Sequence, residues 1–322
     1  MFSERVIALL APGQGSQSPG MLTPWLEAEG AREQLADWSE ATGLDLVRLG
    51  TEADAEEIKD TAVTQPLVVA LTLLAAEELC RRIDLPTNLT IAGHSVGELA
   101  AAALAGVFRP IDAVRLAAVR GREMADACAL EASGMSAVLG GEPDVVLARL
   151  AELGLDPANR NGGGQIVAAG PLDALSALSE EPPEGARVRP LAVAGAFHTR
   201  FMAPAEEALR KHAESVEVAH PVRPLLSNFD GGAQDDGAEI LRRLVAQVTR
   251  PVRWDACMAT LADQGVTAVV ELPPAGALVG LVKRGMKGTK TVPLKTPADL
   301  DKAVQVITEH AADADTTSET TR

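Results

Sequence analysis

The chain has 322 residues, 47% of them hydrophobic, which is enough for a large domain with its own core plus a smaller one. Its formal net charge of -16 and pI near 4.8 exclude a broad nucleic-acid surface, because the average field repels phosphate. Any anionic partner must therefore meet a local basic patch.

The N-terminal stretch MFSERVIALLAPGQG has no basic start, long apolar run or small-residue cleavage site, and it predicts a strand over residues 5–11 closed by Pro12-Gly13. A helix follows around residues 31–41, and a second over 65–82 is apolar on most faces. No uninterrupted apolar stretch approaches the roughly 18 residues that span a bilayer, so no membrane partner is expected. A strand at 89–93, a turn at Ser95 and a helix over 97–106 complete a strand-turn-helix unit of a parallel α/β sheet. The segment 111–128 is helical. Cys80, Cys128 and Cys257 have no metal-type or C-x-x-C spacing, and an odd number of cysteines fits a reducing, cytoplasmic setting.

From Met135 the order changes to strand (MSAVLGG), helix (EPDVVLARLAELG), short strand (DPANRN), strand (QIVAAG), helix (PLDALSALSE) and strand (ARVRPLAVA). This β-α-β-β-α-β order predicts a ferredoxin-like subdomain, with Gly/Pro-rich joints where turns belong. After His198 come a helix over 199–213, strands at 267–272 and 290–295, a helix at 276–285 between them, and a further helix from Pro297. The expected organisation is a core from residues 1–130 and 196–310, a small subdomain at 131–195, and a polar disordered tail at 311–322.

Three stretches carry chemistry. Gly93-His94-Ser95-Val96-Gly97 matches G-x-S-x-G between a strand and a helix, where the glycines permit a sharp turn and the helix N-terminus offers N–H groups to an oxyanion. The alternative is a plain Gly-flanked turn with a solvated serine. A serine nucleophile needs a base. His212 and His310 read as surface residues, His220 as part of an extended segment, and His94 as a supporting residue, since neighbours in a tight elbow diverge. His198, in GAFHT, is the best base. No acid between Ser95 and His198 stands out, so the site reads as a dyad.

In IDAVRLAAVRGREMADAC, helical winding gathers Arg115, Arg122, Asp126, Asp112 and Glu123 on one polar arc, while Arg120 projects among Ala113, Leu116, Ala117, Met124 and Ala127. Arg120 is either an interdomain ion pair, an arginine snorkelling to an edge, or a clamp for a substrate carboxylate. The third stretch, VIALLAPGQGSQSPGM, is neither a dinucleotide fingerprint, because Ser18 replaces the third glycine, nor a phosphate loop. It is a loosened loop at the carboxyl edge of a sheet, from which a backbone N–H can approach a reacting centre.

Taken together, GQGSQ (13–17), TQPLVVA (64–70), GHSVGELAAAALAGV (93–107), the Arg-Gly of VRGREM (119–124), NRNGGGQIVAAG (159–170), GAFHT (195–199) and RPVRW (250–254) resemble, in order and spacing, the malonyl-CoA:acyl carrier protein transacylases, with the actinobacterial members nearest. The resemblance runs to about residue 308. It implies an α/β-hydrolase-like core with an inserted ferredoxin-like subdomain, and a ping-pong transfer of malonyl from malonyl-CoA to the phosphopantetheine thiol of acyl carrier protein.

It further implies Ser95 as nucleophile, His198 as base and acid, the N–H groups of Gln14 and Val96 as oxyanion hole, and Arg120 as holder of the malonyl carboxylate. Gln247 would take the His198 ring through its backbone carbonyl, the role an Asp plays in a triad. His94, Phe197 and Asn161 would line the pocket, with Phe197 filling the space a methyl branch needs. Arg250 departs from the family pattern, which has Asn there. No cofactor beyond the two substrates is implied, and a monomer is expected. For the acidic carrier, Lys283, Arg284, Lys287 and Lys290, with Arg187 and Arg189, form the candidate basic patch. A polyketide-synthase acyltransferase shares every one of these residues. A serine thioesterase or esterase leaves Arg120 unexplained, and a non-catalytic carrier-binding module leaves Ser95 and His198 unexplained.

Overall fold

The computed structural model describes residues 6–311; Arg5, assigned above to the first strand, and the tail 312–322 lie outside them. From the N-terminus, β1 (Val6–Ala11) leads into α1 (Ala31–Thr42), α2 (Leu46–Thr51) and α3 (Thr61–Arg82), then β2 (Thr90–Gly93), α4 (Gly97–Leu104) and α5 (Pro110–Cys128). The chain next forms β3 (Ser133–Gly140), α6 (Pro143–Glu152), β4 (Asp156–Gly162), β5 (Gln165–Pro171), α7 (Leu172–Glu180) and β6 (Ala186–Pro190). It returns through α8 (Ala203–Ala213), β7 (Leu225–Leu226), β8 (Ala233–Gln234), α9 (Gly237–Ala246), α10 (Trp254–Asp263), β9 (Val266–Glu271), α11 (Ala277–Gly285), β10 (Lys290–Pro293) and α12 (Leu300–Ala311).

The result is a mixed α/β molecule with two sheets. One has the order β10-β9-β1-β2-β7-β8, parallel except for β8 at its edge; the other is antiparallel, in the order β4-β5-β3-β6. Strand period sorts the core of the first. Ile7, Leu9 and Ala11 face a layer that includes α3, α4 and α12, while Ala8 and Leu10 face α10 and α11. In the second sheet, Val138, Ile166, Ala168 and Val188 pack on α6 and α7, and the opposite face is turned towards the cleft between the sheets.

Several expectations change. α3 begins four residues earlier than read, because the Asp60 side chain caps it at the Ala62 N–H. By length and composition α3 would span a membrane, yet 78% of its apolar window is buried in the protein, which makes it a core helix. The strand expected over 186–194 ends at Pro190, and residues 191–194 continue as an irregular wall of the cleft. α9 and α10 were not anticipated, although Asp236 capping two N–H groups ahead of Ile240, Leu244 and Val245 carries a helix signature. His310 is buried against Thr267 Oγ1 at 2.8 Å and not at the surface, and Asp112, on the polar arc of its helix, is buried beneath Arg109 and Arg115.

Close approach explains three glycines. A Cβ on Gly93 would lie 2.3 Å from the Gly97 carbonyl carbon, and one on Gly97 would lie 2.4 Å from the Ala11 carbonyl oxygen, so the turn between β2 and α4 closes only with glycine at both places. Gly121 would meet Thr61 O at 2.6 Å, which lets α5 lie against the start of α3 and brings its neighbour Arg120 alongside Gln65.

Candidate active site

Ser95 sits at the top of that turn with φ of 54°, a conformation that lifts its side chain clear of the sheet while α4 starts beneath it. The Ser95 N–H donates to Asn228 Oδ1 at 2.8 Å, and Asn228 Nδ2 donates to Gly93 O at 2.7 Å, so one side chain ties both arms of the elbow.

His198, also at positive φ (62°), brings Nε2 to 2.8 Å from Ser95 Oγ and Nδ1 to 2.8 Å from the backbone oxygen of Gln247. A carbonyl only accepts, so Nδ1 carries the proton, and Nε2 is left as the acceptor facing the serine. Burial, then the nearby Arg120 charge, pushes the His198 imidazolium down to about 3, so the ring is neutral at neutral pH. The group on Nδ1 is a peptide carbonyl and not an acid. Arg250, the departure from the family pattern, leaves this contact in place; its guanidinium lies 5.8 Å from the Phe229 ring.

Arg120 is 2% exposed. Among the described residues its hydrogen-bond acceptors are Gln65 Oε1 at 2.6 Å, Gln247 Oε1 at 3.0 Å and Ser95 Oγ at 3.3 Å, none of them a carboxylate. The interdomain ion pair and the snorkel are both absent from this arrangement. Burial lowers Arg120 to about 10 while Glu98 opposes the shift, so the guanidinium keeps its charge at neutral pH. A buried cation thus stands beside the nucleophile on neutral acceptors alone. Gln65 and Gln247 each take one hydrogen, from Nη1 and Nη2 respectively, which leaves further N–H groups unassigned.

Ser95, His198 and Arg120 line a cavity of about 910 Å³ that also receives Gln14, His94, Asn161 and Phe197. His94 donates Nε2–H to Asn161 Oδ1 at 2.8 Å and meets Trp254 edge-on at 5.5 Å. Phe197, Met124, Met135, Val167 and Leu191 supply apolar wall. Gln14 is held by Thr61 Oγ1 on its side-chain oxygen at 2.8 Å, and Val96 is the N-cap residue of α4, where N–H groups converge at the positive end of the helix. Among the described residues no cluster of three or more His, Cys, Asp or Glu side chains could hold a metal.

The basic residues do not form one patch. Lys283, Arg284 and Lys287 are exposed near the end of α11, where Arg284 Cβ packs 3.1 Å from the Cβ position of Gly163 in the β4–β5 hairpin. Arg187 and Arg189 are exposed on β6, the far edge of the same sheet, on the face of their partners Leu139 and Ala137. Lys290 is taken by Glu309 at 3.0 Å.

Three residues of the network were missed in the sequence. Gln65 and Glu98 carried a signal, each a polar group inside an apolar helix, like Arg120. Asn228 carried none, since it follows a two-residue strand and reaches the elbow from 133 positions away. The Glu98 carboxylate is 4% exposed and accepts from the Asn228 N–H at 3.0 Å and from Gln247 Nε2; burial pushes it up to about 8, against those two hydrogen bonds.

Residues 9–315 match the acyl transferase domain family. The malonyl CoA-acyl carrier protein transacylase of Mycobacterium tuberculosis is 58% identical over 298 residues, covering 92% of this chain and 99% of its own. The crystal structure of MCAT from the same organism superposes with a TM-score of 0.90 at 57% identity, over 93% of this chain and 100% of that one. A malonyl-transacylase solved in complex with a type II PKS acyl-carrier protein superposes with a TM-score of 0.86 at 29% identity, over 94% of this chain and 99% of that one. Fold, site and sequence agree: this chain belongs to the malonyl-CoA:acyl carrier protein transacylases.

Proposed function

We propose that the protein moves a malonyl group from malonyl-CoA to the phosphopantetheine thiol of an acyl carrier protein by ping-pong exchange through malonyl-Ser95. The observation that carries this reading is the buried Arg120 guanidinium 3.3 Å from Ser95 Oγ, held only by neutral acceptors. A malonyl group bonded to Ser95 ends in a carboxylate two carbons from the reacting carbonyl, and that anion supplies the charge the arginine lacks.

In the first half-reaction Ser95 Oγ attacks the thioester carbonyl while His198 Nε2 takes its proton. The oxyanion is held by the N–H groups of Val96 and Gln14, and on collapse His198 returns the proton to the departing CoA thiolate. In the second, His198 takes the proton of the carrier thiol, the sulfur attacks the malonyl ester, and Ser95 leaves as its alcohol with that proton. Gln247 O keeps the ring in the tautomer both halves need. The apolar walls from Met124, Met135 and Phe197 disfavour water as acceptor.

The connectivity β3-α6-β4-β5-α7-β6 supports reading residues 131–195 as a ferredoxin-like unit on a hydrolase-like core formed by 1–130 and 196–310. The three unbridged cysteines support a cytoplasmic setting. The likeness to a transacylase solved with a polyketide carrier favours, as a second reading, a polyketide-synthase carrier as acceptor. A serine thioesterase has no use for a cation placed at Ser95.

Incubation with malonyl-CoA is expected to leave a malonyl adduct on Ser95, seen by mass spectrometry and discharged by holo acyl carrier protein; Ser95→Ala must carry none, and an adduct persisting there places the nucleophile elsewhere. Because a base works only when unprotonated, and His198 is protonated only near pH 3, acylation kcat/KM should show no His inflection near pH 6.5 and should hold to about pH 5. A fall with a midpoint near 6.5 would show that the ring is not held neutral. At low salt, charge reversal at Lys283 and Arg284 should raise KM for carrier protein and leave that for malonyl-CoA nearly unchanged. Equal effects on both substrates would remove α11 from docking.

A further inference from the structure

Glu98 lies in the first turn of α4; its backbone N–H donates to Ser95 O at 2.9 Å, but its side chain does not line the cavity and is bonded instead to Gln247, which, like Ser95, contacts both His198 and Arg120. Gln247 uses three groups: its backbone oxygen holds His198 Nδ1, its side-chain oxygen holds Arg120 Nη2, and its side-chain nitrogen donates to Glu98 and, at 3.2 Å, to Asn228 Oδ1. A primary amide has one donor end and one acceptor end, so its direction is decided by what faces each. A carboxylate accepts at both oxygens, and even a protonated carboxyl keeps a carbonyl oxygen that accepts. With Glu98 on one side, the Gln247 NH₂ must point to it and the oxygen to Arg120. Reversed, the amide would set its NH₂ against the guanidinium and its oxygen against the carboxyl.

We propose that Glu98 is a positioning residue: by fixing the Gln247 amide it holds the Arg120 guanidinium beside Ser95, so that preference for a carboxylate-bearing acyl group depends on a side chain outside the pocket. The other Glu98 oxygen is occupied by the Asn228 N–H, whose side chain holds the elbow, so the carboxyl is clamped from two directions and cannot rotate to release Gln247. This inference rests on Arg120 as the malonyl holder.

Glu98→Gln keeps the volume but offers one acceptor to two facing donors, so either Asn228 or Gln247 loses its partner. Burst acylation of Ser95 by malonyl-CoA and by acetyl-CoA, followed by mass spectrometry in parallel with thermal unfolding, reads the effect. Malonyl acylation should fall about tenfold to a hundredfold and acetyl acylation by less than about threefold. In an Arg120→Ala background the same substitution should no longer change the malonyl-to-acetyl ratio, because the residue it acts through is gone. Glu98→Asp, which draws the carboxyl back by one methylene and keeps both of its oxygens, should give the same selective loss. Equal losses for both acyl groups that follow the drop in Tm, or a malonyl-selective loss that survives in the Arg120→Ala background, overturn the proposal. A wild-type Ser95 that takes no malonyl, or an Arg120→Ala protein that keeps full malonyl preference, instead overturns the function on which it rests.

Discussion

A permanently charged guanidinium in a protein interior costs several kcal/mol unless its hydrogen bonds are met and its charge is answered. Arg120 meets the first condition at both Nη atoms and lacks the second: amide oxygens and the serine hydroxyl accept from it, and the hydroxyl stands where an anion would. Much of the surrounding chain serves to hold it there. Gly121 allows α5 to lie on the start of α3, which supplies Gln65; the turn after α9 supplies Gln247. Neutral acceptors keep the arginine in place without cancelling its charge, so attraction remains for a substrate carboxylate. A carboxylate partner within the protein would have stabilised the fold better and bound the substrate worse.

The same arrangement explains why the histidine rests on a peptide carbonyl. An acid on Nδ1 would set a second buried anion near Arg120 and compete with the substrate. A carbonyl fixes the tautomer through hydrogen bonding alone, and with Arg120 nearby the ring stays neutral and able to accept the serine proton. Gln247 couples the two functions, its backbone serving the base and its side chain the cation. The acid the site does contain, Glu98, stands behind this glutamine and away from the reacting atoms.

What could be read in the sequence was whatever chemistry is local. Ser95 announces itself by flanking glycines between a strand and a helix, and Arg120 by being the one charge on an apolar helical face. Periodicity carried the strands and the switch to the antiparallel sheet. Gln247 was reached only through resemblance, because its role belongs to a backbone oxygen that no residue type marks. Asn228 was invisible for a related reason: β7 is two residues long and leaves no period to follow. The basic residues illustrate the converse failure. Arg187 and Arg284 fall in one group of charges in the sequence, but in the fold Arg187 lies on β6 at one edge of the antiparallel sheet while Arg284, on α11, packs on the β4–β5 hairpin at the other.

The account turns on whether Arg120 answers to the substrate or to the fold. Its most direct test is the ratio of malonyl to acetyl transfer in Arg120→Ala, measured on protein shown by thermal unfolding to be native. A charge-assisted pair shielded from water contributes a few kcal/mol, so malonyl transfer should fall at least about a hundredfold while acetyl transfer is spared or rises. Parallel loss of both activities in a destabilised protein would contradict the account and make Arg120 a structural residue.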